Sequence, residues 1–195
     1  DMESCKVGAA AMVVRQRGEI VYQGFFGDNV TEKTLFRLAS MTKPITAVAI
    51  MRLVDKGLVK VDEPIETYLP GFAGSGITVK HLLTHSSGLG SRELGNEQHE
   101  KRPQGSANSL AAAIAYYETL PLDFEPGTAP DYSPIFGFDV LARIAEVVSG
   151  VPYDRVLQQE IFAPLGMEDT TFDPNEEQWS RMISMHNRVD EKNVT

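Results

Sequence analysis

The fold is decided by residues 36–47, FRLASMTKPITA, in which Ser40 and Lys43 stand three positions apart. Pro44 has no backbone N–H and a fixed φ, so a helix accommodates it only in the first turn. This places Ser40 at or just before the start of a helix. The apolar run that follows, residues 45–53, predicts the body of that helix.

The serine and the lysine have the arrangement that an acyl-transfer nucleophile needs. Residues three apart on a helix share a face, so the Lys43 ammonium nitrogen can reach the Ser40 hydroxyl. A free hydroxyl is a poor nucleophile, and a partly desolvated lysine can take its proton. The start of the helix adds a positive end and a backbone N–H that can meet a developing oxyanion. Because Ser-x-x-Lys arises by chance about once in a few hundred residues, its flanks have to carry the assignment.

Three segments resemble the motifs of one protein superfamily. They are residues 36–44, residues 77–89 (ITVKHLLTHSSGL), and residues 125–133, where Glu125-Pro126-Gly127-Thr128 precedes Tyr132-Ser133. The resemblance is to the serine β-lactamase and penicillin-binding-protein superfamily, in its class C-like branch of β-lactamase-related carboxylesterases and D-aminopeptidases. Three matches in the same order over most of the chain argue against coincidence.

The resemblance implies an α/β fold of the α+β kind, with an antiparallel sheet flanked by helices plus an all-helical region, as in β-lactamases and transpeptidases. The residues themselves predict a hairpin, because Arg17-Gly18 separates two apolar segments, Val7–Arg15 and Glu19–Phe26. We expect one β-lactamase-like domain over residues 1–195, with the sheet hairpin in 1–35 and a mainly helical region in 36–180.

The family's third motif, a Lys-x-Gly or His-x-Gly strand that supplies the second oxyanion N–H, is not found in this sequence. Two strands are also too few for the sheet of this fold. We therefore expect the chain to be the N-terminal part of a longer one. The missing strands would come from the C-terminal part or from another copy of the chain, and the chain alone should hydrolyse poorly.

The resemblance assigns catalytic roles to Ser40, Lys43 and Tyr132. Ser40 would be the nucleophile, and its proton would be managed by Lys43 and by Tyr132, since the matching tyrosine of the family is the general base or proton shuttle. A tyrosine with a pKa of about 10 does this only if a cation such as Lys43 stabilises its phenolate. The structural alternative for Tyr132 is an aromatic side chain packed at a helix entrance.

The sequence departs from the family pattern two residues after Tyr132. The family usually has Tyr-x-Asn, with the asparagine placed to bond the lysine and the amide of the substrate, whereas Pro134 stands at that position here. Proline offers no polar side-chain group and no N–H. We expect recognition of β-lactams and peptide amides to be weakened, and ester hydrolysis to be less affected.

The polar segment Ser91–Asn108 is predicted to be a loop bordering the site. Within it, Ser106-Ala107-Asn108 resembles the Ser-x-Asn motif of penicillin-binding relatives. The alternative is that Ser106 and Ser109 stand where the predicted helix Leu110–Leu120 needs a cap, and this interpretation is favoured.

Composition narrows the function classes. The net charge is −9, from 18 basic and 27 acidic residues without a basic cluster, which disfavours nucleic-acid binding. No run of consecutive apolar residues approaches the ~20 residues of a membrane span. A single cysteine, Cys5, forms no internal disulfide and leaves a cytoplasmic or a periplasmic or secreted location open.

No metal or organic cofactor is predicted. Of the four histidines, His81 and His85 are four residues apart, but His85 falls in the Ser-Ser-Gly turn and no glutamate is nearby, so the pattern of a helical zinc site is not met; His99 and His186 have no such partner.

The sequence therefore predicts a serine hydrolase that acts through an acyl-enzyme on small esters or amides. A D-amino-acid peptidase or penicillin-binding protein is an alternative within the same chemistry. A catalytically silent scaffold that keeps the motifs is the alternative from another class, and Ser40→Ala would distinguish it, since a scaffold should keep its biological activity. The acyl group and the oligomeric state are left open.

Overall fold

The structure is a computed structural model that describes residues 8–105, 108–184, 187–189 and 192–194. Cys5, Ser106 and His186 lie outside the described residues. Contacts within the chain divide it into two units, Asp1–Leu38 with Thr171–Thr195, and Ala39–Thr170.

The described residues begin with two strands, continue with a series of helices and end with two short strands. In the described residues the strands and α-helices are, in chain order, β1 (Ala9–Gln16), β2 (Glu19–Gly27), α1 (Thr42–Asp55), α2 (Val79–Leu83), α3 (Arg92–Glu100), α4 (Leu110–Tyr117), α5 (Phe136–Ser149), α6 (Tyr153–Leu157), α7 (Ala163–Leu165), α8 (Glu176–Ser180), β3 (Asn187–Val189) and β4 (Lys192–Val194). Single turns of 3₁₀-helix cover Ala39–Met41, Ile65–Thr67 and Pro70–Phe72, and a π-helical turn, Gln158–Phe162, joins α6 to α7.

The first unit contains the predicted hairpin. Strands β1 and β2 pair antiparallel, with Gln16 opposite Glu19 across a two-residue turn. Both turn residues have positive φ, 54° at Arg17 and 88° at Gly18, as a type I′ turn requires. The hairpin prediction is confirmed within the described residues, although Val7, the predicted first residue, lies outside them.

The end of the chain differs from its predicted form. Residues 189–195 are polar and predict a surface tail or a break, whereas β3 and β4 pair antiparallel with Asn187 opposite Val194. Strand pairing uses backbone groups and does not require apolar side chains, so polar composition alone conceals it. In the same unit, Leu35 exchanges backbone hydrogen bonds with Arg181 and Ile183, at 2.9 and 3.0 Å.

Helix α5 is the centre of the second unit. Its residues Val140, Leu141, Ile144 and Ala145 have no exposed surface, and the helix packs against α1, α2, α4 and α6. This i, i+1, i+4, i+5 spacing is the buried stripe of an amphipathic helix. From the sequence, residues 135–148 predict a helix that Ser149-Gly150 ends, and the observed helix does end there, with Gly150 at a φ of 74°.

Helix α1 confirms the geometry that the proline predicts. It begins at Thr42, directly after the 3₁₀ turn that contains Ser40, and Pro44 lies in its first turn. Its buried residues are Thr46, Ala49, Ile50 and Leu53. Burial of this stripe fixes the rotation of the helix, and with it the direction of the turn that carries Ser40.

Helix α3 corrects the predicted loop over Ser91–Asn108. The segment is rich in helix-forming residues, and two tertiary hydrogen bonds hold it: Ser91 N–H donates to Asp123 Oδ2 at 2.7 Å, and Tyr116 Oη donates to Gln98 O at 2.9 Å. The polar surface of this helix misled the prediction, because a surface helix held by such bonds needs few apolar residues. Ser109 caps α4 by accepting from Ala112 N–H at 3.1 Å, as predicted.

Every helix in the described parts of the chain is too short or too polar to cross a lipid bilayer.

Candidate active site

Ser40, Lys43 and Tyr132 meet at one point in the second unit. Tyr132 Oη donates a hydrogen bond to Ser40 Oγ at 2.7 Å, and Lys43 Nζ donates to the same oxygen at 3.3 Å. Ser40 is exposed, while the other two side chains are half-buried. The serine oxygen therefore faces solvent with two proton-handling groups within hydrogen-bond distance.

Lys43 is held by a group that the sequence analysis missed. Its Nζ donates to the backbone carbonyl of Pro134 at 2.7 Å and lies 5.0 Å from the ring centroid of Tyr132 and 5.6 Å from that of Phe138. The side chain and the missing N–H of Pro134 offer the lysine nothing, but proline keeps a carbonyl acceptor. The residue that departs from the family pattern thus supplies an acceptor to the lysine through its main chain.

Tyr132 has an environment that favours its phenolate. The pKa of its hydroxyl is lowered, first by the hydrogen bond with Ser40, then by the nearby Lys43 ammonium and by the charge of Arg92. The Arg92 guanidinium lies 5.3 Å from the centroid of the Tyr132 ring. Both cations stabilise negative charge on the phenol oxygen, which is the state that a general base needs.

Tyr117 and Tyr153 have the opposite shift. Burial raises the pKa of Tyr117, whose Oη donates to Asp139 Oδ2 at 2.8 Å, and raises the pKa of Tyr153 to about 12. Burial also raises the pKa of the Asp139 carboxyl. Residues of one type whose pKa values are shifted in opposite directions often have different roles. Here Tyr132 has the lowered pKa that suits proton transfer, and Tyr117 and Tyr153 have the raised pKa of structural residues.

His85 is the second residue whose place in the site the sequence analysis missed. Its ring lies against that of Tyr132 at a centroid distance of 4.7 Å, and its Nδ1 accepts from Ser133 N–H at 3.2 Å. The turn predicted from Ser86-Ser87-Gly88 is present, but we considered His85 only as a zinc ligand. The available signal in the sequence was a histidine, a residue that often takes part in proton transfer, at the junction between a predicted helix and the turn that follows it.

No group of three or more His, Cys, Asp or Glu side chains is placed to hold a metal ion in the ranges that the structure describes. The chemistry that these residues can perform is proton transfer to and from a serine oxygen, with two cations nearby. Such a constellation activates a hydroxyl for attack on a carbonyl carbon.

Comparisons with known proteins agree with the fold and the motifs. Residues 1–194 match the family model described as Beta-lactamase. Esterase EstB of Burkholderia gladioli is 37% identical over 187 residues, which are 85% of this chain and 47% of that protein. The D-alanyl-D-alanine-carboxypeptidase/endopeptidase AmpH of Escherichia coli (strain K12) is 32% identical over 185 residues, 89% of this chain and 47% of that protein.

A solved structure titled as a class C beta lactamase has a TM-score of 0.80 at 22% identity, over 100% of this chain and 54% of that chain. This likeness bears on the fold alone, and it confirms the predicted fold class. The chain spans about half the length of the curated relatives it matches.

Proposed function

The chain belongs to the Beta-lactamase family, and from this premise we propose that it carries the nucleophile and the proton-transfer groups of a serine hydrolase that acts through an acyl-enzyme on small esters. The observation that carries the proposal is the convergence on one exposed oxygen: Ser40 Oγ bonds Tyr132 Oη at 2.7 Å and Lys43 Nζ at 3.3 Å. A nucleophile beside a base that a third group orients is the signature of covalent catalysis.

In the proposed acylation, the Tyr132 phenolate takes the proton of Ser40, and Ser40 Oγ attacks the carbonyl carbon of the ester. The carbonyl oxygen becomes an oxyanion, to which the Ser40 backbone N–H donates. When the intermediate collapses, the bond between carbonyl carbon and alkoxy oxygen breaks, and the leaving alcohol takes the proton from Tyr132. In deacylation the same phenolate takes a proton from a water whose oxygen attacks the acyl carbon. The bond between the acyl carbon and Ser40 Oγ then breaks, Tyr132 returns the proton to Oγ, and the carboxylic acid leaves.

In this scheme Lys43 acts as a fixed cation. Its bond to Pro134 O, together with the two aromatic rings beside it, holds the ammonium near the phenol oxygen. A positive charge at that place lowers the energy of the phenolate in both acylation and deacylation.

Esters are the proposed substrate class for two reasons. The relative EstB is named an esterase. In addition, Pro134 stands where the family usually has an asparagine that bonds a substrate amide, so an amide gains less from this site than an ester does. The name of AmpH makes a D-alanyl peptidase the second candidate.

The test is covalent labelling of the protein in its full chain. A fluorophosphonate and a p-nitrophenyl ester are each expected to add mass to the tryptic peptide of residues 38–52, which contains Ser40. Ser40→Ala should abolish both adducts, whereas Ser75→Ala, a loop serine, should leave them unchanged. Absence of an adduct on folded wild-type protein, or labelling that survives Ser40→Ala, would rule out the proposal.

Turnover then separates the two candidates. The enzyme should accelerate hydrolysis of a short p-nitrophenyl ester more than hydrolysis of a D-alanyl-D-alanine peptide, each measured relative to its own uncatalysed rate. The reverse order would favour the peptidase.

A further inference from the structure

His85 has a backbone conformation that its side chain disfavours. It follows α2 directly, with Thr84 as the C-cap, and its φ of 54° lies in the left-handed region. Glycine is the usual residue at such a position because a Cβ is crowded there. Strain at a residue other than glycine persists where the surroundings hold it in place, and it is concentrated at functional sites.

This conformation directs two acceptors of His85 to the residues on either side of Tyr132. The His85 carbonyl accepts from Asp131 N–H at 2.8 Å, and the ring Nδ1 accepts from Ser133 N–H at 3.2 Å. The backbone is therefore held immediately before and immediately after the tyrosine. Ser133 is itself buried, and its Oγ accepts from Gly137 N–H at 3.1 Å in the first turn of α5.

The imidazole also limits where the phenol ring can go. It lies against two aromatic rings, with centroid distances of 4.7 Å to Tyr132 and 5.2 Å to Phe138. Packing on one face, together with a fixed backbone, leaves the phenol few orientations. In the orientation observed, its oxygen is 2.7 Å from Ser40 Oγ.

We propose that His85, as a neutral imidazole, is the positioning residue that holds Tyr132 within hydrogen-bond distance of Ser40. The expected effect on the acylation rate rests on the proposed function. The hydrogen bonds and ring contacts that hold Tyr132 do not. Nδ1 accepts an N–H, so in this role the ring proton is on Nε2.

The charges around His85 act against its protonation. Of the charged groups near it, Lys43 faces it from α1 and opposes a second positive charge. Its other neighbours are the rings of Tyr132 and of Phe138 in α5, and Arg92 of α3 lies over that tyrosine. Burial, and then the charge of Lys43, lower the pKa of His85 from its usual 6.5. When the pH falls below that lowered value, Nδ1 gains a proton, the bond from Ser133 N–H is lost, and Tyr132 loses its support.

Two substitutions distinguish the effect of the hydrogen-bond acceptor on the His85 ring from the effect of the positive φ. His85→Gly relieves the positive φ but removes the acceptor and the ring. His85→Asn also tolerates this φ, and its Oδ1 can accept from Ser133 N–H without titrating near neutral pH. Arg17→Gly, on the β1–β2 turn, is the matched control, since Arg17 also has a φ of 54°.

The first measurement is the rate of Ser40 acylation by a p-nitrophenyl ester, from pre-steady-state bursts between about pH 5 and pH 8. We expect His85→Gly to lower the rate by about tenfold or more with little change in KM, because misplacing a reacting group affects the chemical step. His85→Asn should recover most of the rate and flatten the acid side of the pH profile, and Arg17→Gly should behave as wild type. A His85→Gly variant with wild-type acylation, or an asparagine variant no better than glycine, would overturn the proposal.

The second measurement does not depend on activity. The NMR amide signal of Ser133 in the wild-type protein should titrate with a midpoint below 6.5, the usual histidine value, and this titration should be absent in His85→Asn. A Ser133 signal that is constant through the acid range would overturn the proposed hydrogen bond from Ser133 N–H to the His85 ring. If wild-type protein takes no fluorophosphonate at Ser40, the proposed function fails, and the Ser133 titration still decides the role of His85.

Discussion

The oxygen of Tyr132 is the atom on which the proposed chemistry depends. Its pKa is lowered while burial raises those of Tyr68, Tyr117 and Tyr153. The difference has a local cause, since Tyr132 is bonded to Ser40 and lies near two cations, whereas the hydroxyls of the other three tyrosines have lost water around them. If Tyr132 acts in catalysis, removing its phenol oxygen alone should lower the rate of Ser40 acylation.

Tyr132→Phe removes that oxygen and keeps the ring that packs on His85. We expect acylation of Ser40 by a p-nitrophenyl ester to slow by about 10²- to 10⁴-fold, the usual contribution of a general base, with an unchanged unfolding midpoint. Burst kinetics and thermal unfolding measure the two quantities. Tyr116→Phe, which removes an Oη bonded to Gln98 O, is the matched control and should keep the rate. A Tyr132→Phe rate within a few-fold of wild type would assign the base elsewhere.

Pro134 gives the second prediction at this scale, because its carbonyl and its side chain have separate consequences. Pro134→Ala keeps the acceptor for Lys43 Nζ, so ester turnover should stay within about threefold of wild type.

Pro134→Asn adds an amide group beside the nucleophile, and the ratio of amide to ester turnover should rise by about tenfold, the value of one good hydrogen bond. Competition between a p-nitrophenyl ester and the matching p-nitroanilide measures the ratio directly. An unchanged ratio in the asparagine variant, or loss of ester turnover in the alanine variant, would contradict the division of roles.

The sequence predicted Ser40, Lys43 and Tyr132 as one site, and the structure brings them together. Their residue types and spacing carry chemistry that can be recognised in a sequence. The Pro134 carbonyl could not be recognised in that way, since every residue has a carbonyl and only the fold shows which one faces the lysine. His85 had an informative residue type but an ambiguous position, and only its contacts with Tyr132 and Ser133 show what it does.

At the scale of elements, the predictions succeeded where a local signal decides the structure. The Arg17-Gly18 turn fixed the hairpin, and the positions of Pro44 and Gly150 fixed the start of α1 and the end of α5. Helix α3 was missed because its stability comes from hydrogen bonds to Asp123 and Tyr116, which are distant in the sequence. Tertiary contacts of this kind override local composition.

Helix α5 carries the core of the second unit and gives a prediction about stability. Ile144 has no exposed surface, whereas Val147, one turn away on the same helix, is 43% exposed. Ile144→Ala should lower the free energy of unfolding by about 2–5 kcal/mol, because it removes buried methyl groups and leaves a cavity.

Val147→Ala should change the free energy of unfolding by less than about 0.5 kcal/mol, since its site is already in contact with water. Urea unfolding followed by circular dichroism measures both variants. Equal effects at the two positions would mean that α5 does not pack as described.

At the scale of the whole molecule, the family and the fold class followed from the order of three motifs, and the comparisons confirmed both. The extent of the sheet is a different matter. The expectation that further strands complete it stays a prediction, and so does the expectation that another copy or a C-terminal part supplies them. The chain spans about half the length of its curated relatives. The described residues contain two separate two-stranded sheets, β1–β2 and β3–β4, and strands that would extend either of them are not among these residues.

The hairpin of the first unit shows what such strands would cover. Met12 and Val13 are 53% and 52% exposed, although neighbouring residues of a strand point to opposite faces. Ile20 and Val21 on β2 are exposed as well, at 46% and 57%. Apolar side chains on both faces of a two-stranded sheet are a liability in water, because such surfaces associate with other chains.

The 195-residue chain by itself is therefore expected to self-associate and to bind the dye ANS, and Val13→Thr with Val21→Thr should reduce both while keeping the strand preference of β-branched residues. Sedimentation velocity at several protein concentrations and ANS fluorescence provide the measurements. Val48→Thr, at an exposed position of α1, is the control, since it makes the same side-chain change at a single exposed helical position and should alter neither readout. A monomeric 195-residue chain without ANS binding would show that the exposed apolar faces of the hairpin need no further strands to cover them.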